Sequence, residues 1–435
     1  MIISEIMEYL WADKRGEYYK MLELVKHLSE DELFEIAKQK KMPMYSYPGT
    51  KLNLLPCSIC TYRLKNNFSG CSMCDYENED IKHKAIMTVL KEKNNILYSK
   101  AIVQNFINTR GYGSHPEVFE LISSYDSFND EEFPEELYRE LFNYNNLFSK
   151  PPFCYIFETR ASSISIEKLQ LLKEYLPNNS RVIIEFGVEV CNEWIRNHWL
   201  NKSISNAQII NAIDLIHEMG YKSSADVLIG IPGFTEKQSM RCFYDTVLWL
   251  DKIGIDQIIA LPLNRKDNTL QGALYTYLKD DPFLNEVGIA QQEHTGIPWL
   301  TSVVCALNDV LKQNPHIGQK LSMAQIYPYQ NSVKNVTAYN KNTCNCNTVL
   351  TDVLTSYQKN KNSNIISDAV VFAMSDKHRC SNEYKYLLQK QSDLTIAYTM
   401  KLIVDRLLLH FLPDSYESKS RCFANELEML KEYDQ

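Results

Sequence analysis

The chain has 435 residues, 45% of them apolar and 23% charged, with a formal net charge of -8. That composition supplies a large core and excludes global disorder, and no run of about 18 apolar residues occurs that would cross a membrane. An acidic balance argues against a nucleic-acid enzyme, for which a basic stripe is expected.

Residues 1 to about 42 read as helical. "ISEIMEYL" and "YYKMLELVKHLSEDELFEIAKQ" carry apolar residues at three- and four-residue steps. Ser29, with Glu32 three positions on, marks a helix start. The first twenty residues lack the basic start and apolar middle of a signal peptide. A cytoplasmic chain with reduced thiols is therefore expected.

From residue 50 the pattern changes. "KLNLLPCS" is a short apolar run that ends at a cysteine, and the helical "HKAIMTVLKEKN" follows. "AIVQNFIN" (101–108) reads as a buried strand, with "TRGYGSHP" as its turn. "PPFCYIFETR", "SRVIIEFGVEV", "SSADVLIGIPG" and "IDQIIALPLN" read as further strands. Between them lie the helical "SIEKLQLLKEYL", "NAQIINAIDLIHEMG" and "TEKQSMRCFYDTVLWLDKIG", with Gly220 as a helix stop. Strands alternating with helices are the signature of βαβ units and a parallel sheet. The expected fold class is α/β: a partial or full (β/α) TIM-type barrel with N-terminal helices and a C-terminal helical extension. The expected divisions are a helical segment over 1–48, the barrel core over 49–315 and the extension over 316–435. "LTIAYTMKLIVDRLLLHFL" reads as a buried helix of that extension. In such barrels the chemistry sits at the C-terminal strand ends.

"PCSICTYRLKNNFSGCSMCDY" (56–76) holds Cys57, Cys60, Cys71 and Cys74 after the first strand. Two C-x-x-C pairs suit a zinc site, but the interval between them is short and reads as a polar, aromatic loop. A thioredoxin-like pair would leave the second pair unused. An iron–sulfur reading uses three thiolates on one loop and leaves one iron open. Cys60, Cys71 and Cys74 are then the ligands, and Cys57 is a buried thiol at the strand end. Further on, Cys344, Cys346 and Cys380 stand near His378. A C-x-C with one distant cysteine is poor ligand arithmetic for zinc, so ordinary thiols are expected there.

The arrangement resembles the radical SAM superfamily. In detail it is similar to the archaeosine synthase radical-SAM subunit and the branch near the Elongator catalytic subunit. The widened Cys60-x10-Cys71-x2-Cys74 spacing, "GCSMCDY", "FETRASSISIEKLQLL", "IIEFGVEVCNEWIRNHWLNKS", "LPLNRKDNTLQGALYTYL" and "GIPWLTSVV" carry the resemblance. It covers residues 50–310 and is weak in the tail. Ala161 stands where that branch has proline after E-T-R, and "NTRGYG" is irregular against its Ser/Gly turn.

The resemblance implies a [4Fe–4S] cluster held by Cys60, Cys71 and Cys74, with S-adenosylmethionine (SAM) on the open iron. One electron would cleave SAM to a 5′-deoxyadenosyl radical that takes a hydrogen atom from substrate. The expected SAM contacts are Asn108, Thr109 and Gly111 in the turn, Glu158 (or Glu158 paired with Arg160), Glu185, Glu189, Arg196, and Gly230 and Pro232 of "GIPG". No residue is singled out as catalytic. The expected substrate is a small metabolite or a peptide, with modified tRNA as the alternative. An electron donor such as flavodoxin or ferredoxin is the expected partner, and no membrane. A zinc-stabilised binding protein is the rival from another class.

Overall fold

The computed structural model of the chain describes residues 1–40, 44–47, 50–76, 80–110, 118–122, 126–142, 154–324, 336–341 and 345–433. Three helices open it: α1 (Ile2–Leu10), α2 (Ala12–Val25) and α3 (Glu30–Ala37). α3 begins at a reciprocal cap, in which Ser29 Oγ accepts from the Glu32 N–H and Glu32 accepts from the Ser29 N–H. β1 (Met44–Tyr47) and β2 (Thr50–Leu54) then pair antiparallel. Helices α4 (Thr61–Lys65), α5 (Ile81–Lys93) and α6 (Asn95–Arg110) follow. The next elements are β3 (Val118–Ile122), α7 (Glu135–Leu141), β4 (Cys154–Thr159) and α8 (Ile166–Tyr175). After them come β5 (Arg181–Glu189), α9 (Asn206–Glu218), β6 (Lys222–Ile229), α10 (Glu236–Lys252) and β7 (Gln257–Pro262). α11 (Leu270–Leu278), α12 (Pro282–Glu286) and α13 (Leu300–Gln313) lead to β8 (Leu321–Met323). α14 (Cys346–Asn360), α15 (Ser363–Ala373), α16 (Arg379–Lys390), α17 (Ile396–Phe411) and α18 (Tyr416–Leu427) complete the chain.

Residues 101–108 correct an expectation. They are not a strand but the second half of α6. Asn94 Oδ1 accepts from the Ile96 and Leu97 N–H groups and starts the helix. Tyr98, Ala101, Ile102, Asn105 and Phe106 are buried at three- and four-residue steps, which is a helix face. The second parallel strand is β3, further along the chain.

The eight strands form one sheet in sequential order, parallel from β2 to β8. Among the described residues β1 and β8 do not pair, so the sheet is a partial TIM-type barrel. Register sets Glu158, Glu185, Ser224 and Gln257 side by side. Two residues further along, Gly187 and Asp226 are partners on the same face. Phe186, Ala225 and Ile258 make the alternate row and join one core with Leu172, Ile213 and Val247 of α8, α9 and α10. So the polar row faces inward and the apolar row faces the helices.

The two ends of the chain share a second core. Ile3, Ile6 and Met7 of α1 pack with Ile403, Val404 and Leu407 of α17 and Phe423 of α18. This layer also touches Trp199, Ile231 and Leu274, which belong to segments above the sheet. Each such fully buried aliphatic side chain contributes about 1.5–3 kcal/mol. Among the described residues no helix is long and apolar enough to cross a membrane.

Candidate functional site

The cysteine loop is folded by one arginine. After β2, Leu55 and Cys57 enter the main core, and Cys60 caps the short α4. Arg63 of α4 is buried against the Trp11 ring, 3.7 Å from its centre. Its Nη1 donates to the Phe68 and Ser69 carbonyls at 3.0 Å, and its Nη2 to the Cys74 carbonyl at 2.8 Å. The chain can wrap that guanidinium because Asn67, Phe68 and Gly70 take positive φ values of 52°, 69° and 57°. At Gly70 a Cβ would stand 2.6 Å from Arg63 Cζ, so only glycine fits. The ten residues between Cys60 and Cys71 are therefore one helical turn and one reversal, and they return Cys71 to the wall that holds Cys60.

A second irregular segment, residues 188–205, supports this loop. It starts at a bulge where the β5–β6 register shifts between Gly187 and Glu189, and Glu189 has φ 65°. A π-helical turn follows over Ile195–Trp199; such turns recur at functional sites. The Ser72 N–H donates to the Leu200 carbonyl and Ser72 Oγ to that of Trp199. Asn201 Nδ2 donates to the Gly70 carbonyl at 2.6 Å, and the Tyr62 hydroxyl to the Asn201 carbonyl at 2.7 Å.

Together these segments wall a cleft, partly open to solvent, at the C-terminal strand ends. Cys60, Cys71 and Cys74 line one wall. Glu158, Asp226 and Glu189 line the others, with Lys202 and Lys266. Lys202 Nζ donates to Glu189 Oε1 at 2.5 Å, and both side chains are buried. Lys266 stands 3.6 Å from Asp75. Burial pushes the Cys74 thiol up to about 11, and the Arg63 charge opposes it. Burial raises the Tyr62 hydroxyl to about 12, and Cys71 adds to this. Burial lifts the Asp75 carboxyl to about 6 against the pull of Lys266. At Arg160, burial works against the charge, but Cys71, Cys60 and Asp126 hold the guanidinium above its ordinary value.

The expected site residues divide. Cys60, Cys71, Cys74, Glu158 and Glu189 are brought to the cleft. Glu185 lies beside Glu158 in the inward row but is buried, accepting from Ser224 Oγ. Gly230 and Pro232 are packed rather than lining. Gly230 is tight against Leu263 and Pro298, and the Pro232 carbonyl accepts from Trp199 Nε1. Arg196 is also placed elsewhere. Its guanidinium donates to the Val188, Val190, Cys191 and Ile204 carbonyls and to Asn206, fully buried. Asn108 is exposed on α6 and bonded to Gln104, because residues 108–110 of the expected turn are helix. Thr109 is in the same helix, and Gly111 lies outside the described residues. Cys344 also lies outside them, while Cys346 and Cys380 are buried with Trp299, Tyr384 and Leu387.

Sequence reading missed Arg63, Asp226 and Lys202. Asp226 carries a signal in hindsight: it is an acid inside the apolar run "ADVLIGIPG". For the other two the signal is absent, since their positions depend on loop geometry.

The donor chemistry suits a soft metal group, with thiolates opposed by guanidinium and ammonium charges. Among the described residues no three His, Cys, Asp or Glu side chains close on a point that would hold one ion.

Fold and site thus define an α/β protein with a cysteine-walled cleft at the ends of its parallel strands. No family model matches the chain. It is similar to two uncharacterized proteins of Methanocaldococcus jannaschii. One is 23% identical over 305 residues, which is 68% of this chain and 73% of the relative. The other is 30% identical over 105 residues, 24% of this chain and 31% of the relative. Among solved structures it is similar to two of TsrM, a radical S-adenosylmethionine methyltransferase from Kitasatospora setae. The structure with cobalamin and a [4Fe–4S] cluster matches at TM-score 0.34 and 14% identity, over 52% of this chain and 39% of that one. The structure with tryptophan and aza-SAM matches at TM-score 0.38 and 12% identity, over 74% and 62%. The chain spans less than two thirds of either TsrM chain's length.

Proposed function

We propose that the chain is a radical SAM enzyme acting on a small metabolite or a peptide. The observation that carries this is the sorting of the cysteines: Cys60, Cys71 and Cys74 line the cleft, while Cys57 is buried in the core beneath it. The resemblance of segments from Cys60 to Trp299 to the archaeosine synthase and Elongator branch supports this reading. A [4Fe–4S] cluster here would supply one electron to SAM and so a 5′-deoxyadenosyl radical.

In this reading Cys60, Cys71 and Cys74 are the cluster ligands. Glu158, Glu189 and Asp226 offer carboxylates to the ammonium and sulfonium of SAM. Lys202 offsets Glu189. An acidic chain with a walled cleft favours a small substrate over tRNA. The electron would come from a flavodoxin or ferredoxin, and the expected compartment is the cytoplasm.

Anaerobic purification tests this. The expected product is a brown protein with about four irons per chain, and it should form 5′-deoxyadenosine from SAM and dithionite. Cys71→Ala should lose the iron and Cys57→Ala keep it. A colourless protein with one zinc and no iron would sink the proposal. Deoxyadenosine formation that rises only with tRNA would move the substrate to the alternative.

A further inference from the structure

Three arginines belong to the cysteine loop, the segment after β5 and the end of β4, and they differ in what they touch. Arg63 and Arg196 give their N–H groups mainly to backbone carbonyls. Arg160 is different. Its Nη1 donates to Cys71 Sγ at 3.9 Å, a long contact to a large acceptor. Its Nη2 donates to the Lys202 carbonyl, and its guanidinium lies over the Tyr62 ring, 4.1 Å from the centre. The Arg160 backbone N–H donates to Asp126 Oδ1, which also accepts from Thr159 Oγ1. Ser163 Oγ donates to the other oxygen, Asp126 Oδ2. The guanidinium is therefore held by the Lys202 carbonyl and the Tyr62 ring, and the backbone that carries it by Asp126.

We propose that Arg160 is a positioning residue that sets the charge balance of the cysteine wall, its N–H on Cys71 Sγ favouring the reduced state of the iron–sulfur group those cysteines hold. This rests on the radical SAM reading. Reduction adds negative charge to the group, and a fixed cation beside one sulfur stabilises the more negative state. Hydrogen bonds to ligand sulfurs are among the terms that set iron–sulfur potentials. Lysine does this less well, because a guanidinium is planar, stacks on a ring and keeps its charge with little hydration. Lys202 and Lys266 cannot substitute, since each is paired with a carboxylate.

The test is a redox titration of the reconstituted full chain, followed by electron paramagnetic resonance, for the wild type, Arg160→Gln and Arg160→Lys. Arg160→Gln should shift the oxidised-to-reduced ratio at a given potential tenfold toward oxidised, about 59 mV for one electron. Arg160→Lys should recover part of that shift. A loaded Arg160→Gln cluster with an unchanged potential overturns the proposal. Loss of iron from both variants also overturns it, since that marks Arg160 as scaffold alone. Failure of the underlying reading is seen separately, as a wild type that holds no iron.

Discussion

The cysteine loop (56–76) and the segment after β5 (188–205) solve one folding problem in two ways. Each leaves a parallel strand, turns back over the rim and contains left-handed residues: Asn67, Phe68 and Gly70 in one, Glu189, Asn201 and Ser203 in the other. Each buries an arginine whose guanidinium replaces a sheet or helix as the donor for loop carbonyls. The difference lies in what the scaffold then presents. One loop offers thiols to the cleft, and the other offers the Glu189–Lys202 pair. A buried arginine near a cleft is therefore no sign of ligand binding until its N–H groups have been counted.

The largest effect expected follows from that count. Arg196→Ala strips a donor from four buried carbonyls and should cost about 3–5 kcal/mol, read by chemical denaturation. Arg63→Ala should cost a similar amount and, unlike Arg196→Ala, should also abolish iron loading. If Arg196→Ala kept its stability and lost only SAM affinity, the two loops would differ where they are held to be alike, and Arg196 would be a ligand contact after all.

Glycine substitutions sharpen the comparison at a smaller scale. In Gly70→Ala the new methyl meets a guanidinium pinned by three carbonyls, at φ 57°. A cost of about 2–3 kcal/mol is expected. In Gly187→Ala the methyl would stand 2.3 Å from Lys202 Nζ and 2.4 Å from Glu189 Oε1, both ends of movable side chains. That variant should lose about 1 kcal/mol, the low end for overpacking because both ends can move aside, with the ion pair pushed apart. Equal costs in thermal unfolding would mean that Arg63 is no more firmly held than Lys202.

Much of this was legible in the sequence where local pattern decides structure. The strands β4 to β7, the helices between them and the Ser29 cap follow from periodicity and capping chemistry alone. "AIVQNFIN" was not legible, because an eight-residue apolar run has no period that separates a buried strand from a buried helix. The cap at Asn94, outside the run, decided it. The site was legible for the residues that leave strands directly, the three cysteines and Glu158. Arg196 misled because its sequence shows a charge near a rim and not the four carbonyls that curl around it. Lys202 and Arg63 were invisible, since a left-handed turn some residues away sets where each one points.

A pH-dependent effect tests a third way to bury a charge, with helix ends in place of loop carbonyls. Glu236 opens α10 and lies beneath the start of α13, where its Oε2 accepts from the Trp299 N–H and from Ser302 Oγ. Two helix N-termini favour its anion, yet burial wins and lifts the carboxyl from 4.5 to about 7, with Ser302 and Trp299 opposing. The folded state therefore binds more protons than the unfolded chain between those values. Its contribution to stability is whole below pH 4.5 and is lost as pH rises through about 7. Glu236→Gln keeps the acceptor and removes the titration, so it should gain on the wild type as pH rises from about 5 to 7. The gain is at most about 1.4 kcal/mol per pH unit, on the order of 3 kcal/mol over the whole interval, in which the hydrogen bonds to the anion are already counted. Denaturation midpoints for the two proteins that stay parallel across this range would show that helix ends hold the anion as fully as the loop carbonyls hold Arg196.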